Sequence, residues 1–429
     1  MKKAISILIA LLLVLSAGQF AMAEEETTLT VWFSAWVGGT ERETAQENWK
    51  ITQIARQFEE DHPGVKVEML FQPDQQVAQN KLRASVLAGD APDIANVYGF
   101  YFVTSMADVF LDITDMIPAG DMENISGWDT AEVGGRYYGY PINVNEACCI
   151  LYNREIVEAA GVDLEGEGAP KNAEELWAAF EKIKATGKEV FVSGHSGYNP
   201  LYVFCFSAWW SQMSGLGRIT SDSLAETKFS EDEGFLKSLQ YAADVYANGF
   251  VNQDYEACTD ANARFLNGEG AFLLGSAIDP DIYAAMGDNL GVYMIPDYSA
   301  DVANPGYQIG GAGQAACVLK SSKNPELAVE FLSYVSNYEN SIKICTGTGL
   351  SLRKDVTAAD LGYEGDALYE RYFELINAHT FAWNDNSMQG DVANEFYKLS
   401  CMAITGQITV EECAAQLDQL AQDVADNAA

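Results

Sequence analysis

Short β-rich runs alternate with longer stretches of helical periodicity, and that rhythm restricts the fold more than any single residue does. Leu29 to Ser34 (LTVWFS) reads as a strand, Ile51, Ile54, Ala55 and Phe58 recur at helical spacing, and His62-Pro63-Gly64 stops the helix. Val65 to Phe71 is the next strand, Gln75 to Leu87 a helix closed by Gly89, and Asp93 to Val97 begins a further strand. A helix between two strands returns the chain to pair in parallel, so the expected class is α/β with largely parallel sheets.

Downstream, Asn172 with Glu175 makes a capping-box-like helix start. Asn324-Pro325 opens another helix, with a capping residue and a proline at its first position, and Ala328, Phe331, Leu332 and Val335 share one face. Thr409 with Glu412 caps the last helix, where Cys413, Leu417, Leu420 and Val424 face inward. The sequence shows no internal repeat and no polar linker, so any division into two lobes is made by the chain crossing over rather than by a tether.

The first 23 residues read as an export signal. Lys2 and Lys3 precede an apolar run from Ala4 to Ala17, and Ala21-Met22-Ala23 is the small-x-small pattern cut by signal peptidase. The run is shorter than the roughly 20 apolar residues that span a bilayer. Leu15-Ser16-Ala17-Gly18 approaches a lipoprotein site, but Gln19 stands where the lipid-bearing cysteine belongs. The expected product begins at Glu24 and is soluble in the periplasm or at the cell surface. With 62 acidic and 25 basic residues the charge is −37, and loss of the two lysines gives −37 − 2 = −39. Such a surface repels phosphate backbones and anionic lipid, which argues against nucleic acid and membrane surfaces as partners and suits a neutral ligand. The eight cysteines are sparse and mostly lie in apolar runs, so they read as small buried hydrophobes. No CxxC pair occurs, and neither metal nor cofactor is expected.

Six motifs in order carry a resemblance: FEEDHPGVKV (Phe58 to Val67), LRASVLAGDAPDI (Leu82 to Ile94), GRYYGYPINVNEACCILYNREIVEAAGVD (Gly135 to Asp163), FLNGEGAFLLG (Phe265 to Gly275), IGGAGQAACVLKSSKNPELAVEFLSYV (Ile309 to Val335) and GQITVEECAAQL (Gly406 to Leu417). From about Leu29 to Leu420 the chain resembles the extracellular solute-binding proteins of ABC importers, within them the carbohydrate-binding, maltose-binding-protein-like family. The resemblance implies a two-lobed clamp that the chain crosses three times, near Pro141 to Glu146, Pro305 to Gly311 and Gly349 to Leu352. Lobe one is then 24–142 with 309–350, and lobe two 143–308 with 351–429. It also implies a carbohydrate held in the cleft, membrane permease subunits as partners, a monomer and no catalysis.

A sugar offers apolar C–H faces and a rim of hydroxyls, so its receptor needs flat aromatics beside groups that donate and accept hydrogen bonds, set where the strands end. Trp36 follows the first strand, with Ser34 two residues before it, and Tyr98 and Phe100 follow the strand after PDI. Asn143 and Asn145 flank the first crossing, either to bind hydroxyls or to satisfy turn backbone. Tyr202 and the Trp209-Trp210 pair stand in an apolar helical run; adjacent helical residues point apart, so one tryptophan, taken as Trp210, is expected to see the cleft. Ser276 and Asp279 follow FLNGEGAFLLG, but Ala277 and Ile278 stand where the maltose type carries tryptophans, which sets maltodextrins aside. Gly310 and Gly311 either let backbone approach the ligand or relieve hinge strain. Trp383, beside Asn384 and Asp385, reads as an exposed loop tryptophan poised to stack on sugar. The other classes are a binding protein for a polyamine or peptide, and a secreted glycoside hydrolase, for which any carboxylate pair among 62 acids is an unspecific signal.

Overall fold

The computed structural model describes residues 26–35, 37, 41, 44–73, 75–142, 146–194, 199–275, 278–347 and 349–428. The export-signal segment lies outside them. Strand β1 (Thr27–Ser34) buries Leu29, Val31 and Phe33 on one side, as the period-two pattern requires. β2 (Val65–Gln72) and β3 (Ile94–Tyr98) flank it in parallel, with Thr27 opposite Val65 and Val31 opposite Ile94. The intervening helix Lys50–Asp61 turns Ile51, Ile54, Ala55 and Phe58 inward, and its end falls at His62, where the sequence places the stop. Full burial of a side chain such as Phe33 or Phe58 is worth about 1.5–3 kcal/mol, so this apolar stripe outweighs any local propensity in fixing the helix.

A small hairpin, β4 (Glu132–Val133) and β5 (Arg136–Tyr137), leads into β6 (Gly139–Ile142). The chain then enters β7 (Glu146–Ala147) and β8 (Cys149–Asn153), and a second sheet gathers β9 (Glu189–Val192), β10 (Gly270–Gly275) and β11 (Leu290–Tyr293). It returns through β12 (Tyr307–Gln308) and β13 (Gly310–Gly311) into β14 (Gln314–Val318), and β15 (Thr380–Phe381) later pairs with β12. The first sheet runs β2-β1-β3-β14-β6 and the second β11-β8-β10-β9. Each sheet has one reversed strand: β14 is antiparallel to β3 and β6, and β8 is antiparallel to β10 and β11. The mostly parallel expectation therefore describes the remaining strands of each lobe. Among the described residues no helix is long and apolar enough to cross a membrane.

Two details differ from the sequence reading. Asn324 makes no side-chain cap, although Pro325 does occupy the first helical position; Ser322 Oγ instead accepts from Asn324 N at 3.2 Å. The third return also comes later than Gly349 to Leu352. Leu352 O accepts from Ser126 N, Arg353 bridges Ile125, and Lys354 N donates to Asn124 O, so the chain is still tied to the first lobe at Lys354. The helix Ala367–Ala378 is the next regular element, and its Leu368, Tyr372 and Leu375 enter a second-lobe cluster.

Capping at Thr409 is reciprocal: Glu412 N donates to Thr409 Oγ1 at 3.0 Å, and Thr409 N donates to Glu412 Oε2 at 2.8 Å. The helix Val410–Ala428 begins there and buries Cys413 and Leu417 in the second lobe. Thr409→Ala is expected to lower stability by about 1 kcal/mol, read as a fall in the thermal midpoint, with ligand affinity unchanged.

Candidate functional site

The carboxyl ends of the first sheet form a row of neutral polar groups. Ser34, fully buried, turns both its N–H and its hydroxyl toward Asn96 Oδ1, at 3.3 and 3.1 Å. Gln72 stands opposite Ser34 in register, and its Nε2 is buried without a hydrogen-bond partner. Tyr98 faces Gln314 across β3 and β14, and Gln314 Oε1 is likewise buried and unpartnered. After Tyr98 the chain turns sharply. Gly99 allows the turn, since a Cβ there would lie 2.0 Å from Thr130 Cγ2, and Phe100 takes φ +55.

The hinge is a ribbon of two residues from each strand. β7 pairs antiparallel with β13, Glu146 opposite Gly311 and Ala147 opposite Gly310. Gly310 has φ +143, and a Cβ on it would meet Glu146 O at 2.0 Å, so close strand approach, rather than ligand, is what demands glycine there. Glu146 is partly buried in this ribbon, and its desolvation lifts its carboxyl to about 7. Beside the ribbon, Phe100, Thr130, Gly311, Ser351, Phe373 and Phe381 help line an interlobe cavity of about 750 Å³. Phe100, Gly310 and Gly311 are thus brought to one space.

Other expected site residues go elsewhere. Trp36, Asn143, Asn145 and Ser276 lie outside the described residues. Tyr202 and Trp210 are both fully buried in the second-lobe core, and Trp209 is too. Residues 201–210 are apolar almost throughout, so the helix is covered on every face, and the polar atoms find internal partners: Trp210 Nε1 donates to Asp232 Oδ2 at 2.8 Å, and the Tyr202 hydroxyl meets Ser238 Oγ at 2.8 Å. Asp279 is a helix cap, accepting from Asp281 N and Ile282 N ahead of Pro280. Trp383 is only 8% exposed, packs edge-on to Phe204 and donates from Nε1 to Gly311 O at 3.4 Å, so it is a core residue at the hinge rather than an exposed loop tryptophan.

Sequence reasoning passed over Gln72, Gln314, Glu146 and Asn386. Gln72 ends its strand and Gln314 begins one, positions where a lone polar residue beside an apolar run is itself a cleft signal. Glu146 and Asn386 carry no such pattern.

Two outcomes test this geometry. Trp383→Ala should cost about 3 kcal/mol of folding stability by thermal or denaturant unfolding, as expected of a core aromatic. For Glu146 the raised native pKa means the folded state keeps a proton that the unfolded chain loses, so stability falls as pH rises from about 4.5 to about 7. Glu146→Gln should therefore raise the thermal midpoint at pH 8, by at most about 3 kcal/mol in stability, and leave it nearly unchanged at pH 4.

A family model for bacterial extracellular solute-binding proteins matches residues 53–363. The melibiose/raffinose/stachyose-binding protein MelE of Bacillus subtilis strain 168 is 22% identical over 388 residues, covering 86% of this chain and 85% of MelE. The sn-glycerol-3-phosphate-binding periplasmic protein UgpB of Escherichia coli K12 is 25% identical over 354 residues, covering 76% and 74%. In three dimensions the chain is similar to the sugar-binding protein MalE of Xanthomonas citri (TM-score 0.74, 18% identity, 94% of this chain and 98% of that one). A chitin oligosaccharide binding protein aligns equally well (TM-score 0.74, 18% identity, 93% and 99%). These neighbours share the two-lobed α/β fold.

Proposed function

This chain belongs to the bacterial extracellular solute-binding proteins, and from that premise we propose that it captures a neutral oligosaccharide between its lobes and hands it, chemically unaltered, to an ABC-type permease. The observation that carries the ligand class is the row of uncharged donors and acceptors at the first sheet's carboxyl end, Ser34, Gln72, Asn96 and Gln314, of which Gln72 and Gln314 keep an unpartnered atom. Amides and hydroxyls both donate and accept, as sugar hydroxyls do. MelE and the chitin oligosaccharide binding protein bear carbohydrate names, which supports the reading, whereas UgpB is named for an anion. The charge of −37 favours the neutral ligand over the phosphate. The export leader at residues 1–23 delivers the protein to the compartment where such a ligand is met.

Calorimetry of the mature chain against neutral oligosaccharides, sn-glycerol 3-phosphate and a polyamine tests the proposal, with chromatography of the recovered ligand. A neutral oligosaccharide should bind most tightly and come back intact. Tighter binding of the phosphate or polyamine, or a cleaved sugar, would overturn it.

A further inference from the structure

The loop after β15 reaches from one lobe to the other. On the second-lobe side it is held fast: Asn384 Nδ2 donates to Ser207 O at 2.7 Å, Asn384 Oδ1 accepts from Ser211, and Asp385 accepts from the Tyr397 hydroxyl. On the first-lobe side the target is equally fixed, because Gly313 O accepts from Gly99 N at 3.0 Å where β3 ends and β14 is about to begin. Between these anchors Asn386 Nδ2 donates to that same Gly313 O at 2.9 Å, and Asp385–Ser387 lies against the helix Tyr101–Ser105.

We infer that Asn386 is an interlobe clasp: a positioning residue that holds part of the unliganded population closed, so that ligand meets an assembled cleft. Three features of the bond suit this role. Its acceptor keeps Gly99 N when the clasp opens, so opening strands no buried carbonyl. Its donor is half-buried and can return to water. A neutral amide–carbonyl bond shifts a two-state equilibrium by roughly threefold to tenfold, enough to bias the lobes without locking them. A ligand that needs the closed arrangement then binds with an affinity scaled by the fraction already closed.

The inference rests on the proposed capture of ligand between the lobes, but its first readout needs no ligand. Small-angle scattering of the unliganded mature protein should give a larger radius of gyration for Asn386→Ala than for the natural chain. Asn386→Asp, which replaces the donor by a carboxylate facing the carbonyl, should give one at least as large. Thermal midpoints should stay unchanged, since the bond lies between lobes and not within a core. With the oligosaccharide identified by calorimetry, both variants should bind three to ten times more weakly, chiefly through faster dissociation, and their liganded radius should match that of the natural chain. An unliganded radius unchanged in both variants overturns the clasp. Absence of any sugar binding by the natural chain overturns the proposed function, while the unliganded radius still decides the clasp.

Discussion

A strand that has just crossed from one lobe enters the other through the face bordering the cleft, and it must therefore run away from that face. β8 follows the first crossing and β14 the second, and these are the reversed members of their sheets. Every other strand in each sheet consequently ends toward the partner lobe. Direct entry of the chain thus determines where the carboxyl ends lie, and with them the row from Ser34 to Gln314. Parallel sheets bind ligands at that edge because the strand ends leave loops and unpaired groups there.

The ribbon joining the lobes takes its shape from how closely two backbones approach. Gly310 leaves no room for a side chain against Glu146 O, and Glu146 is itself partly withdrawn from water. A carboxyl kept there at a cost to stability marks a place where packing alone did not dictate the residue, as expected near a functional surface.

Where the sequence pattern answered to a single periodic rule, the structure could be read in advance. Ile51, Ile54, Ala55 and Phe58 repeat at helical spacing and are buried together, and Thr409 with Glu412 satisfies two terminal N–H groups by local geometry. Tertiary competition decided the rest. Asn324 stands at the cap position without a side-chain cap bond, Trp383 was drawn into a core shared with residues nearly two hundred positions earlier, and Trp210 found a buried carboxylate in Asp232. A tryptophan in a loop and a tryptophan in a core look alike until the partner strands are known. The interlobe pairing of Asn386 with Gly313 was illegible for a further reason: it depends on two crossings being superposed in space, and no local pattern encodes that.

The eight cysteines are all buried, none is in a disulfide, and burial pushes their thiols upward, Cys149 and Cys345 to about 12. Thiolate is the reactive species, so native thiols held in this state are poorly attacked by alkylating reagents at neutral pH. The folded protein is accordingly expected to take up little maleimide dye on its native cysteines. A cysteine introduced on the exposed face of each lobe would take fluorophores selectively, turning the clamp into an optical reporter of its own ligand.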